Sequence, residues 1–148
     1  MAEVHVLKQA STTLSISTRG PGFIDLTGRI EDWVDRIGAR EGLLTAFVRH
    51  TSASLTIQEN ADPDVQRDLL DALDRLAPRS HAYRHGIEGP DDMPAHIRSM
   101  LTTTSIGIPI VDGRPVFGTW QALYLIEHRD APHRREVVLQ FIGEVRSA

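Results

Sequence analysis

A chain of 148 residues with 41% hydrophobic and 24% charged residues has the composition of a single globular domain, long enough to bury about two-thirds of its unfolded surface. The 16 Lys and Arg against 20 Asp and Glu leave a net charge of −4, which excludes the basic footprint of a general nucleic-acid binder. The absence of cysteine excludes a disulfide framework, a thiolate metal site and a cysteine nucleophile, so any chemistry falls to His, Asp, Glu, Asn and hydroxyl groups.

The opening residues carry no basic and apolar leader, and no apolar run approaches the ~20 residues of a membrane span. The expectation is a soluble cytoplasmic protein with neither membrane nor nucleic acid as partner. Val4 and Val6, then Leu14 and Ile16, alternate with polar neighbours and predict an opening β-hairpin turning at Gln9-Ala10-Ser11. After Gly20-Pro21-Gly22 comes a short extended piece, Phe23 to Leu26. Thr27 then reads as the N-cap of a helix whose apolar side is Leu26, Ile30, Trp33, Val34 and Ile37, closed by Gly38 and Gly42. The β-leaning run from Leu43 to His50 predicts a central strand, with a second strand over Leu55 to Gln58.

Asp62-Pro63 is a strong helix start, an acceptor followed by a residue with no N–H to satisfy. Val65, Leu69, Leu73 and Leu76 make the stripe of that helix, which Ala77-Pro78 ends. Residues 78–92 have no periodicity and predict a long loop of the kind that carries function. A short third helix, capped by Asp92, spans about Met93 to Leu101. Ile106, Ile108 and Ile110 alternate, Asp112-Gly113 signals a hairpin, a return strand is expected over Val116 to Glu127, and a last strand over Val137 to Val145. Helices that do not alternate strictly with strands predict an α+β fold: antiparallel or mixed sheets with two main helices and a short third, in one domain over residues 1–148.

Three of the seven histidines have informative company. His50 ends an apolar strand and precedes Thr51-Ser52-Ala53-Ser54; His85 lies in the long loop with Glu88; His96 starts the short helix, four residues after Asp92. Three imidazoles converging with one position open is a common way to hold a catalytic zinc. Their spacing matches no dense ligand signature. Each also has an ordinary reading: a satisfied strand-end histidine, a solvated loop residue and an exposed helix position. Glu59, Asn60 and Asp62 cluster ahead of the second helix, suited to capping or to a polar site. Glu88, Asp91 and Asp92 crowd one loop, suited to proton transfer, a cation or plain solvation. Ser54 and Thr56 read as strand-surface residues. Gly118-Thr119-Trp120-Gln121 reads as mid-strand, Trp120 being core or a stacking platform.

The strings HTSASLTIQENADPDV (His50 to Val65), HGIEGPDDMPAHIRSML (His85 to Leu101), IPIVDGRPVFGTWQ (Ile108 to Gln121) and VVLQFIGE (Val137 to Glu144) resemble the YjbQ-like, or secondary thiamine-phosphate synthase, family. Ser54 and Gln58 stand where Gly and Asn occur in many members. The resemblance implies a trimeric α+β protein with a histidine-lined site for a divalent metal (Zn or Mg) and thiamine-phosphate synthase-type transfer. That reaction joins hydroxymethylpyrimidine pyrophosphate to thiazole phosphate and releases pyrophosphate. It further implies His50, His85 and His96 as metal ligands and Asp62, Glu88 and Asp92 as catalytic or metal-orienting groups. Thr51, Ser52, Asn60, Trp120 and Gln121 become contacts for a small phosphorylated substrate, in a pocket near or across a subunit boundary. Arg49 and Arg98 are the nearby cations for phosphate. The alternatives are a metal-dependent hydrolase of a phosphorylated or acyl metabolite, and a non-catalytic trimeric metal- or metabolite-binding protein.

Overall fold

The computed structural model describes residues 2–147. Its elements run β1 (Lys8–Ser17), β2 (Gly22–Asp25), α1 (Thr27–Arg36), β3 (Ala39–Val48), β4 (Ala53–Glu59), α2 (Pro63–Leu76), α3 (Asp92–Leu101), β5 (Ser105–Val111), β6 (Arg114–Pro115), β7 (Gln121–Glu127) and β8 (Arg134–Val145). A five-stranded sheet has the order β1-β8-β3-β5-β6 and a three-stranded sheet the order β2-β7-β4, with every pairing antiparallel. This is the expected α+β architecture with three helices.

Period-two alternation on β1, β3, β5 and β8 sends Leu14, Ile16, Leu44, Ala46, Val48, Ile108, Ile110, Val137, Leu139 and Phe141 to one side of the large sheet. There they meet Ile30, Trp33 and Val34 of α1 and Leu55, Leu123 and Leu125 of the small sheet in one core. Each such large side chain, fully buried, contributes roughly 1.5–3 kcal/mol. Residues Ala122 to Glu127 of β7 are buried on both faces. The far side of the small sheet receives α2 and α3: Ser99 Oγ reaches Ala53 O at 3.5 Å, and Thr102 Oγ1 donates to Ser54 Oγ at 2.5 Å. The outer face of the large sheet is uncovered, with Leu43, Phe47 and Ile142 each about half exposed.

Several local expectations are corrected. The opening hairpin is one strand: Gln9-Ala10-Ser11 holds no turn former, and β1 pairs with β8 without a break from Lys8 to Ser17. Val4 and Val6 lie outside any strand and are exposed. Thr27 is the first helical residue and Leu26 the N-cap; the Thr27 hydroxyl accepts from Leu123 N at 3.0 Å, tying α1 to β7. Asp92 is likewise the first residue of α3, behind Asp91, and its side chain makes no cap bond. The Asp112-Gly113 turn forms, both residues at positive φ. The return strand, however, lasts only two residues: Gly118 to Trp120 make a turn closed by Gln121 N on Gly118 O, and the next strand joins the other sheet. On α2, Asp62 caps by accepting from Asp64 N at 2.9 Å, but only Leu73 of the predicted stripe is buried.

Candidate metal centre

The long loop and the start of α3 bring three donors together. His85 Nε2 lies 2.5 Å from Asp92 Oδ2, and His96 Nε2 lies 3.5 Å from the same oxygen. The ring centroids of His85 and His96 are 5.5 Å apart. Asp92 and His96 meet because positions i and i+4 share a helix face. A single donor atom from each of the three residues fits within 4.8 Å of the others. The Asp92 side chain is 2% exposed, whereas His85 and His96 reach solvent, so the carboxylate forms the floor and the imidazoles the open rim. Two imidazole nitrogens and one carboxylate oxygen are a ligand set that suits Zn²⁺ or another first-row divalent ion with positions left over.

The buried carboxylate is compensated by Arg129. Its Nη1 donates to Asp92 Oδ1 at 2.9 Å, its Nε to Asp91 Oδ2 at 2.9 Å and its Nη2 to Glu88 O at 3.0 Å. Burial pushes the Asp91 carboxyl up, but the Arg129 bond and the N–H of Asp130 outweigh it and hold the group below its usual range. Asp130 in turn pairs through both oxygens with Arg79.

Beneath this layer, Glu127 is paired with Arg135, and His128 is 1% exposed with Nε2 2.8 Å from Ser54 Oγ. Burial, with Arg98 nearby, pushes the His128 imidazole down to about 4, so it is neutral at pH 7. Ser54 is therefore not a strand-surface residue: it is fully buried and links His128 to Thr102.

The expected site residues do not form one pocket within the chain. His50 is outside the cluster; its Nε2 accepts from the backbone N–H of Glu136 at 2.8 Å, and burial followed by Arg135 pushes its pKa down. Ser52 accepts from Arg135, through its carbonyl and through Oγ, and Thr51 is exposed beside them. This β3–β4 connection lies at the same end of the small sheet as Arg129, since Ala53 pairs with Glu127. Asn60, Asp62, Trp120 and Gln121 gather at the opposite end: Asn60 N bonds Trp120 O at 3.0 Å, and Gln121 Oε1 accepts from Gly118 N at 2.8 Å. The six rises of β7, about 20 Å, separate the two ends. Trp120 is 64% exposed, so it is not core. Glu88 is exposed beside the cluster, with Oε2 3.9 Å from Arg129 Nη1. Arg49 and Arg98 are engaged, by Glu136 and Asp74.

Sequence reasoning missed Arg129, and with it Glu127 and Arg135. A signal was present: Glu127-His128-Arg129-Asp130 is a run of four ionisable residues directly after an apolar strand.

The two-sheet α+β sandwich that carries this His–Asp–His cluster has known relatives. The family model described as UPF0047 protein YjbQ-like matches residues 12–144. The UPF0047 protein sll1880 of Synechocystis is 52% identical over 98% of this chain and 99% of its own length. The YjbQ protein of Escherichia coli O157:H7 is 40% identical over 89% and 96%. Among solved structures, a YbjQ-like protein of unknown function from Sulfolobus solfataricus covers 94% of this chain and 100% of its own with TM-score 0.87 at 23% identity, a likeness of fold. A YjbQ/UPF0047-family protein from Clostridium acetobutylicum covers 89% and 98% with TM-score 0.78 at 38% identity. The chain belongs to the YjbQ-like UPF0047 family. Among the described residues no helix is long and apolar enough to cross a membrane.

Proposed function

We propose that the protein is a divalent-metal-dependent cytoplasmic enzyme acting on a small phosphorylated substrate, with His85, Asp92 and His96 as metal ligands. The observation that carries this is the approach of both imidazoles to one oxygen of a buried carboxylate. A bound Zn²⁺ or Mg²⁺ would supply Lewis acidity, neutralising phosphate oxygens or acidifying water. The donor set fits Zn²⁺ better than Mg²⁺, which prefers oxygen. The two cations that the resemblance offers for phosphate, Arg49 and Arg98, are already paired with Glu136 and Asp74, and this favours a metal-borne counter-charge.

Within that class, the resemblance to secondary thiamine-phosphate synthases names the reaction to test first. The thiazole nitrogen bonds the pyrimidine methylene carbon, the methylene–oxygen bond breaks, and pyrophosphate leaves with the electron pair. No proton need be removed from the attacking nitrogen. The work of the chain is then to hold pyrophosphate against the centre and to keep the two rings in line. Trp120, Asn60 and Gln121 can support a ring only from another copy, given the length of β7 between them and the cluster. We therefore read the assembly as a homotrimer, and the uncovered apolar rows Leu43 with Ile142 and Phe47 with Val138 support self-association. A second reading, hydrolysis of a phosphorylated metabolite, is favoured by the exposed Glu88 carboxylate beside the cluster, placed to accept a proton from water.

The test is product formation from the two thiamine precursors, and phosphate release from simple phosphomonoesters, with and without Zn²⁺ or Mg²⁺. His96→Ala and Asp92→Asn are compared with the unsubstituted chain. Turnover that needs the cation and vanishes in both variants is expected; equal turnover in all three proteins defeats the proposal.

A further inference from the structure

We infer that Arg129 is a positioning residue for this centre: its guanidinium spans Asp92 and the carbonyl of Glu88 at once, presenting Asp92 through Oδ2 alone and holding the His85 loop against α3. The inference rests on the reading of His85, Asp92 and His96 as ligands.

The backbone of the loop does little to hold it. Between Tyr83 and α3 its backbone bonds are Gly89 N to Gly86 O at 3.5 Å and Asp92 N to Gly89 O at 3.4 Å, both longer than the 2.7–3.2 Å of a sound N–H···O bond. Side chains hold it instead: His85 Nε2 lies 2.5 Å from Asp92 Oδ2, and Arg129 adds three bonds at 2.9, 2.9 and 3.0 Å that reach Asp91, Asp92 and the Glu88 carbonyl. They consume Oδ1 of Asp92, so only Oδ2 faces the two imidazoles. They also fix Glu88, three residues beyond His85.

Arg129 is itself registered to the core. The backbone N–H groups of His128 and Arg129 both donate to Glu127 Oε2, at 3.0 and 3.1 Å, and Glu127 is fully buried and locked by Arg135. An unbroken chain of bonds thus runs from the sandwich interior through Glu127 and Arg129 to the ligands. Such outer partners of metal ligands usually matter for affinity about 10–100-fold.

Charge and position pull in opposite directions here, which makes the inference testable. A guanidinium beside a ligating carboxylate repels a cation, so charge alone predicts tighter metal binding once it is removed. Positioning predicts weaker binding. Lysine keeps the charge but lacks the planar fork that reaches three acceptors.

The experiment titrates Co²⁺ into the metal-free chain and its Arg129→Lys and Arg129→Met variants, reading the visible ligand-field band. Amide hydrogen exchange over residues 85–91 is measured on the same metal-free proteins. Both variants are expected to bind Co²⁺ roughly 10–100-fold more weakly with an altered band. They should also lose protection at 85–91 while α2 keeps its own. Arg129→Lys binding like the unsubstituted chain, Arg129→Met binding more tightly, or unchanged exchange in both variants overturns the inference. If the unsubstituted chain and His96→Ala alike give no Co²⁺ band, the metal reading has failed by itself. Faster exchange in Arg129→Lys then still supports the hold on the loop, and unchanged exchange still overturns it.

Discussion

Glu127 and Arg135 form a two-bonded ion pair inside the sandwich, Nε to Oε1 at 2.7 Å and Nη2 to Oε2 at 2.5 Å, with side chains 0% and 4% exposed. The pair bridges the end of β7 in one sheet and the start of β8 in the other. Burial alone would push the Glu127 carboxyl up; the bonds from Arg135, Thr18 and the N–H of Arg129 outweigh it and hold the group ionised. At this end of the apolar core the sheets are therefore joined by an ion pair, directly beneath the loop that carries Arg129.

Removing one partner of such a pair strands the other charge. Arg135→Met is expected to cost about 3–5 kcal/mol in urea unfolding at pH 7, and Glu127→Gln with Arg135→Met together less than the sum of the two. Strict additivity would show that the two groups do not act as a pair.

His128 sets a pH dependence of definite sign. Its pKa in the fold is about 4, against 6.5 in the unfolded chain, so the unfolded state binds the extra proton. Stability from this group is complete above pH 6.5 and is lost as the pH falls towards 4, amounting to roughly 3 kcal/mol. His50, also lowered, acts in the same sense. Unfolding free energies measured at pH 7.5 and 5 should therefore converge in His128→Gln relative to the unsubstituted chain. An unchanged pH slope would contradict a buried neutral imidazole.

The resemblance implies a catalytic role for Asp62, whereas the local sequence reads it as a helix cap; its carboxylate does cap α2, at the far end of β7. Asp62→Ala is expected to cost about 1 kcal/mol of stability. Cobalt binding to the chain should be unchanged. Weakened binding would mean that this end of the small sheet reaches the centre, as it would between copies of a trimer.

What the sequence disclosed follows from which forces are local. The start of α2 was legible because Asp62-Pro63 is satisfied within one turn, and the Asp112-Gly113 turn because positive φ is a property of two residues. The split of the last strands between two sheets was not legible: Val116 to Glu127 reads as one β-leaning run, and only tertiary pairing with Ser54 to Glu59 decides that the strand begins at Gln121. At the site, His85 and His96 are legible as candidates because histidine is conspicuous, and the structure brings their ring centroids within 5.5 Å. The resemblance makes Asp92 a catalytic or metal-orienting group; in the structure its carboxylate lies between the two imidazoles. Arg129, from a loop distant in sequence, carried no local mark beyond its charged neighbours. His50 misled because a strand-end histidine beside hydroxyls looks the same whether its nitrogen faces an ion or, as here, a backbone N–H.

One backbone contact explains two glycines. Gly42 and Gly143 are opposed on β3 and β8 beside an irregularity in register, and a Cβ on Gly143 would lie 2.1 Å from Glu41 O and 2.6 Å from the Gly42 Cα. The obstacle is backbone and cannot swing aside. Gly143→Ala is expected to lower stability by about 1–3 kcal/mol or more, read as the denaturant midpoint. A neutral effect would mean that the strands part more easily than their nine paired positions suggest.

The most direct measurement is calorimetric titration of Zn²⁺ into the metal-free chain beside His85→Ala, Asp92→Asn, His96→Ala and His50→Ala. One ion per chain is expected, its binding lost or greatly weakened in the first three variants and retained in His50→Ala. Equal binding in His96→Ala, or loss confined to His50→Ala, would contradict that expectation.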